Sequence, residues 1–144
     1  MTGLGKLGCR EAFLTLGSCR FEPLVLFYES LLEQKAQPYL PDRYAEFQLP
    51  GLRLGIFRPT VSHQLEFSQS SSGGMSVCLE VADLEYAIAH LTALGCPPPG
   101  AITTASHGRE IYAYDPDGNR LILHQSHSTP SGGFSSLNDR LPET

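Results

Sequence analysis

The stretch GREIYAYDPDGNRLILH (Gly108–His124) decides the fold. Asp115-Pro-Asp-Gly118-Asn119 reads as a turn: Pro116 suits the second position of a type I turn, and Gly118 the left-handed residue that follows. That pattern is a three-residue hairpin loop with a bulge. Its register pairs Asp115 with Asn119, Tyr114 with Arg120 and Tyr112 with Ile122. Side chains alternate along a strand. Tyr112, Tyr114, Arg120, Ile122 and His124 therefore share one face, and Leu121 and Leu123 share the other, toward a helix.

Working outward, the hairpin closes the second of two similar segments. Moving Phe13–Leu31 along the chain by 63 residues brings it onto Ser76–Leu94. Leu14/Val77, Leu16/Leu79, Phe21/Leu84, Leu24/Ala87, Val25/Ile88, Tyr28/Leu91 and Leu31/Leu94 then coincide, and Glu22 meets Glu85. Gly51-Leu-Arg53-Leu54 meets Gly118-Asn-Arg120-Leu121 at an offset of 67, so the second copy holds four extra residues between those blocks. Repeats of this kind are supersecondary units that bury a shared core.

Each copy reads as βαβββ. Glu11–Gly17 alternates as a half-buried strand does. Pro23 stands in the first turn of a helix, where its missing N–H costs nothing. Leu24, Phe27, Tyr28 and Leu31 form that helix's apolar stripe. In the second copy Asp83 is the N-cap, Leu84, Ala87, Ile88 and Leu91 form the stripe, and Gly95 ends the helix ahead of Cys96-Pro-Pro-Pro-Gly100. Further strands are expected at Ala36–Leu40, Arg43–Leu49, Leu52–Arg58, Ile102–Ser106, Glu110–Asp115 and Asn119–Gln125. Residues 8–125 are thus expected to form a single domain of two modules, about 8–60 and 74–125. A linker at 61–73 and a disordered tail at 126–144 complete the chain.

Composition bounds the function. The chain has 144 residues, 41% hydrophobic and 17% charged, enough for one domain with a core. A net charge of −5 argues against nucleic-acid binding, which rests on cationic contacts to phosphate. No segment approaches the ~20 apolar residues of a membrane span, and Met1–Lys6 has no signal-peptide character. Cys9, Cys19, Cys78 and Cys96 form no CxxC pair and are expected to be reduced thiols in the cytoplasm. Gly3–Gly8 matches GxGxxG but follows no strand. Asp115, Asp117 and Asn119 imitate a calcium loop with its glycine misplaced.

Gly108–His124, with Leu26–Leu32 (LFYESLL) and Met75–Gly95 (MSVCLEVADLEYAIAHLTALG), resembles the vicinal oxygen chelate superfamily. That superfamily includes glyoxalase I, bleomycin-resistance proteins and extradiol dioxygenases. The resemblance spans roughly residues 8–125 and implies an α+β fold: two tandem βαβββ modules whose curved mixed sheets form a central cleft. The superfamily's chemistry usually rests on a divalent metal held by His, Glu or Gln. Carried over residue by residue, the ligand positions fall on Phe13, Gly55, Ser76 and Ile122. Phe, Gly and Ile cannot coordinate a metal, and a lone Ser hydroxyl is a poor ligand. A slip of one position offers only Ala12, Ile56, Met75, Val77, Leu121 or Leu123. The chain thus resembles the metal-free branch, with no metal and no cofactor expected.

Strand parity puts Phe13, Thr15, Arg53, Phe57, Ser76, Cys78, Tyr112, Tyr114, Arg120 and His124 on the face that would contact a ligand, together with Glu80. An apolar-aromatic surface with a few polar groups suits a small molecule. Arg53 and Arg120 hold equivalent positions and could clamp a carboxylate or phosphate. The alternative for them is a pair of solvated guanidiniums beside hairpin turns. His124, Glu80 and Tyr112 are the candidates for acid–base chemistry; the alternative is a structural role. Three functions stay open. The first is a metal-independent protein that sequesters, senses or carries a small molecule. The second is a lyase, isomerase or dioxygenase-like enzyme on an oxygenated substrate. The third is a homodimeric interaction module without a working cleft.

Overall fold

The computed structural model describes residues 5–68 and 73–127. The chain divides into two compact units, Met1–Gln69 and Ser70–Thr144. Both are α+β, each with an open four-stranded mixed sheet.

In the first unit the described elements run β1 (Leu14–Gly17), α1 (Phe21–Leu32), β2 (Tyr39–Leu40), β3 (Tyr44–Leu49), β4 (Leu52–Phe57), a 3₁₀ turn (Val61–His63) and α2 (Gln64–Ser68). The sheet order is β1-β4-β3-β2, with β1 and β4 parallel. The stripe on α1 buries Leu24, Phe27 and Tyr28 against Ala45, Phe47, Leu54 and Ile56, the buried positions of β3 and β4. Glu22 holds the helix to the β2–β3 turn by accepting from the Tyr39 hydroxyl (2.7 Å) and the Asp42 amide (2.9 Å).

The second unit runs β5 (Val77–Glu80), α3 (Leu84–Ala93), β6 (Thr103–Ala105), β7 (Gly108–Tyr114) and β8 (Arg120–Ser126), in the order β5-β8-β7-β6. Asp83 caps α3 by accepting from the Tyr86 amide at 3.0 Å. At the other end Gly95 takes φ +89°, and the Gly95 and Cys96 amides donate to Thr92 and Leu91 carbonyls. This is the Schellman arrangement that a glycine stop favours. Leu84, Ala87 and Leu91 are buried, as are Ile111, Ala113, Leu121 and Leu123 in the sheet.

The two parallel pairs have the same register. Leu14 lies beside Leu54 in one unit, and Val77 beside Leu121 in the other, the shifts of 63 and 67 applied together. The four extra residues of the second copy fall in two places. Three residues separate Leu40 from its partner Tyr44, but six separate Thr103 from Glu110. Two lie between Leu49 and Leu52, and three between Asp115 and Asn119.

The Asp115–Asn119 turn has the expected register, with Tyr114 beside Arg120 and Tyr112 beside Ile122. Asp115, only 4% exposed, is its organiser. Oδ1 accepts from the Asp117 and Asn119 amides (both 2.9 Å), and Oδ2 accepts from the Asn119 side chain (2.8 Å). Asp115→Ala strands those donors. It is expected to cost about 2 kcal/mol, measured by denaturant unfolding.

Some boundaries differ from expectation. Ala36–Leu40 shortens to Tyr39–Leu40, because Pro38 has no N–H for the ladder and the Ala36 amide donates to Glu29 (3.1 Å). The segment 61–73 is not wholly linker, since it carries the 3₁₀ turn and α2. Phe67 of α2 anchors there, its ring packed on Gly17 and edge-to-face with Phe57 (5.3 Å between centroids). Ser126, expected in the tail, instead closes β8, and residues 128–144 lie outside the described residues.

Candidate functional site

Each sheet has one face on its long helix, α1 or α3, and one turned away from that helix. In the first unit the latter face carries Thr15, Gly17, Arg53, Gly55, Phe57, Tyr44, Glu46 and Gln48, by register. Its own side chains occupy it. Arg53 stacks over the Phe13 ring, 4.3 Å from its centroid, and pairs with Glu11 (3.0 Å) and Glu46 (3.3 Å). The Tyr44 hydroxyl donates to Glu46 at 2.8 Å, and the Gln48 amide does the same at 2.8 Å. Hydrogen bonds from Gln48 and Tyr44 hold the Glu46 carboxyl below its ordinary range. Tyr44 lies over Gly55 so closely that a Cβ there would stand 2.8 Å from its hydroxyl. Phe67 covers Gly17 and Phe57.

In the second unit the corresponding face carries Cys78 and Glu80 from β5, Arg120, Ile122 and His124 from β8, and Glu110, Tyr112 and Tyr114 from β7. It is open: Tyr112 is 48% exposed and Cys78 is exposed. Arg120 donates to the Gly73 carbonyl (2.7 and 2.9 Å) and to the Ser76 hydroxyl (3.3 Å), so its guanidinium is engaged by its own unit.

Glu80 and His124 are register partners on adjacent parallel strands, and their side chains meet. His124 Nδ1 lies 2.7 Å from Glu80 Oε1. The other carboxylate oxygen accepts from the Ser126 amide (2.9 Å) and hydroxyl (2.7 Å). Burial pushes the Glu80 carboxyl up, but the donors from Ser126 and His124 outweigh it and hold the group below its ordinary value. Glu80 is therefore a carboxylate at neutral pH, and His124 presents Nδ1–H to it. The imidazole is 1% exposed, too enclosed to meet a ligand directly. Its Nε2 lies 3.0 Å from Nδ1 of His107, at the tip of the β6–β7 hairpin, with the rings 5.1 Å apart. His107 has no sequence signal. It stands at no motif spacing, and only the hairpin's extra length brings it over His124.

The positions where the resemblance would put a metal do not fit one. Gly55 is filled by Tyr44, Ile122 lies between Cys78 and Tyr112, and Ser76 accepts from Arg120. No group of three or more His, Cys, Asp or Glu among the described residues could hold a metal ion. No described helix is long and apolar enough to cross a membrane.

No protein-family model matches the chain, and no curated protein does. Solved structures do. A glyoxalase-related enzyme from Fulvimarina pelagi is 20% identical, covering 87% of this chain and 94% of that one at a TM-score of 0.66. A glyoxalase/bleomycin resistance protein/dioxygenase from Nocardioides is 20% identical, covering 85% and 89% at 0.62. Lactoylglutathione lyase from Agrobacterium tumefaciens is 17% identical, covering 80% and 92% at 0.60. The chain has the fold of these glyoxalase/bleomycin-resistance/dioxygenase proteins. Fold alone does not carry their activities over.

Proposed function

We propose that this is a metal-independent protein that binds a small molecule on the sheet face of the second unit. One contrast carries the reading: the first unit's face is filled by its own side chains, while the second unit's leaves Tyr112 exposed beside Ile122 and Cys78. An aromatic surface with a few polar groups is how small-molecule sites are built. The glyoxalase-type neighbours support a small-molecule role without defining the ligand. The non-coordinating Gly55 and Ile122 support independence from metal.

Two measurements test this. Purified protein, incubated with Zn, Ni, Mn or Fe(II) and then dialysed, is expected to retain none of them stoichiometrically. Native mass spectrometry of the full chain and a small-molecule thermal-shift screen are expected to find a ligand whose binding weakens about tenfold in Tyr112→Ala, a loss of about 1.4 kcal/mol. Stoichiometric retention of a metal, or ligand affinity unchanged in Tyr112→Ala, would refute the proposal.

A further inference from the structure

The positions of Glu80 and His124 in the second unit correspond to Gly17 and Phe57 in the first, by the offsets of 63 and 67. There the same place in the fold is occupied by an apolar contact, Phe67 on Gly17 and Phe57. Apolar packing thus satisfies the architecture at that position. The second unit instead places a buried imidazole there against a part-exposed carboxylate, and burying an imidazole is costly unless its nitrogens are partnered. His107, on a hairpin longer than its counterpart, extends the chain outward. Gly108 makes room for it, since a Cβ there would crowd His124 Nε2 at 3.0 Å.

From this geometry we infer that Glu80, His124 and His107 form a proton relay ending in a general base, the Nε2 of His107, which acts on the ligand of the second-unit face. The inference rests on that face being the ligand site. His124 Nδ1–H donates to Glu80, so the Nε2 of neutral His124 accepts from His107 Nδ1–H. The lone pair of His107 Nε2 makes no hydrogen bond among the described residues. When that nitrogen takes a proton from a substrate C–H or O–H, His107 passes its Nδ1 proton to His124. His107 ends neutral, His124 becomes an imidazolium beside the Glu80 carboxylate, and the substrate keeps the electron pair. Reversing the transfer returns the proton to another substrate atom or to water. His107 is the catalytic residue; His124 and Glu80 are positioning residues, as the buried acid is in a Ser-His-Asp triad.

The surroundings define the substrate class. Among the described residues, Glu80 on β5, Glu110 on β7 and His127 after β8 are the titratable groups around the two rings, and β6 contributes none. Arg109 and Glu85 pair with each other on the helix face, at 2.6 and 2.9 Å. Arg120 is turned to the Gly73 carbonyl and Ser76. A base beside two carboxylates favours an uncharged molecule with an acidic proton and an apolar or aromatic body, suited to Tyr112 and Ile122.

The test uses nitrobenzisoxazole, an uncharged aromatic carbon acid. Removing its ring proton forms the nitrile, breaks the N–O bond and releases a coloured phenolate. With the full-length chain the rate is expected to rise with pH as the base loses its proton. His107→Ala and His107→Gln are each expected to lose about 10²-fold, and added imidazole to restore part of the rate in His107→Ala. Glu80→Gln removes the charge that favours the imidazolium, so its pH midpoint is expected to fall by about one unit. Circular dichroism checks folding in each variant. A rate unchanged in both His107 variants, or a pH midpoint unmoved in Glu80→Gln, overturns the relay. If the face ligand still binds Glu80→Gln normally in that case, the binding proposal stands while the relay fails.

Discussion

Gly108→Ala is expected to destabilise the protein by about 2–4 kcal/mol, from overpacking together with backbone strain. Gly108 opens β7 directly opposite Ser126, with φ +153°. A Cβ at this position falls on the Gln125 carbonyl oxygen, a backbone atom of the paired strand, and comes within 3.0 Å of Ser126 Cα. A side-chain tip could swing away, but a paired backbone cannot, so the hairpin must open locally. At Gly100 a Cβ would meet nothing within 4 Å and φ is not positive, so Gly100→Ala should stay within about 0.5 kcal/mol of wild type. Denaturant midpoints for the two variants check this; equal stabilities would contradict it. Because the same Cβ would crowd His124 Nε2, Gly108→Ala should also disturb the relay geometry.

Leu121→Ala is expected to cost about 3 kcal/mol. Leu121 is fully buried and lies on β8 between Val77 and Ala113. Ala113 is too small to fill the space, and the fully buried Leu84 and Leu91 of α3 are held by their helix. Removing the leucine loses its transfer free energy and leaves a cavity that rigid neighbours cannot close. Met75→Ala in the same unit, 78% exposed, should change stability by less than about 0.5 kcal/mol. A fall in Leu121→Ala no larger than in Met75→Ala would mean that the sheet relaxes around the cavity.

Much of the fold is legible in the chain because its signals are local. Asp83 and Gly95 mark helix ends through bonds to amides and carbonyls a few residues away. The Asp115 turn pairs its strands through geometry contained in five residues. The helix α2 is not legible because its anchoring contact is distant: Phe67 finds Gly17, and five residues of Ser- and Gln-bordered chain carry no helical period of their own. The strand expected at Ala36–Leu40 is too long for the same kind of reason, since the carboxylate that takes the Ala36 amide belongs to α1.

The site divides along the same line. Strand parity puts Glu80 and His124 on one face, because alternation is a property of the strand itself. The order βαβββ, the shared register of the two copies and the absence of coordinating side chains at Phe13, Gly55 and Ile122 were determined by the sequence alone. Which of the five histidines meet was decided only by the tertiary structure. His124 reaches Glu80 across 44 residues and His107 across 17, through rotamers and a hairpin whose length sets where its tip lies. A contact of that kind depends on where the backbone brings distant residues, and no local pattern of residue types encodes it.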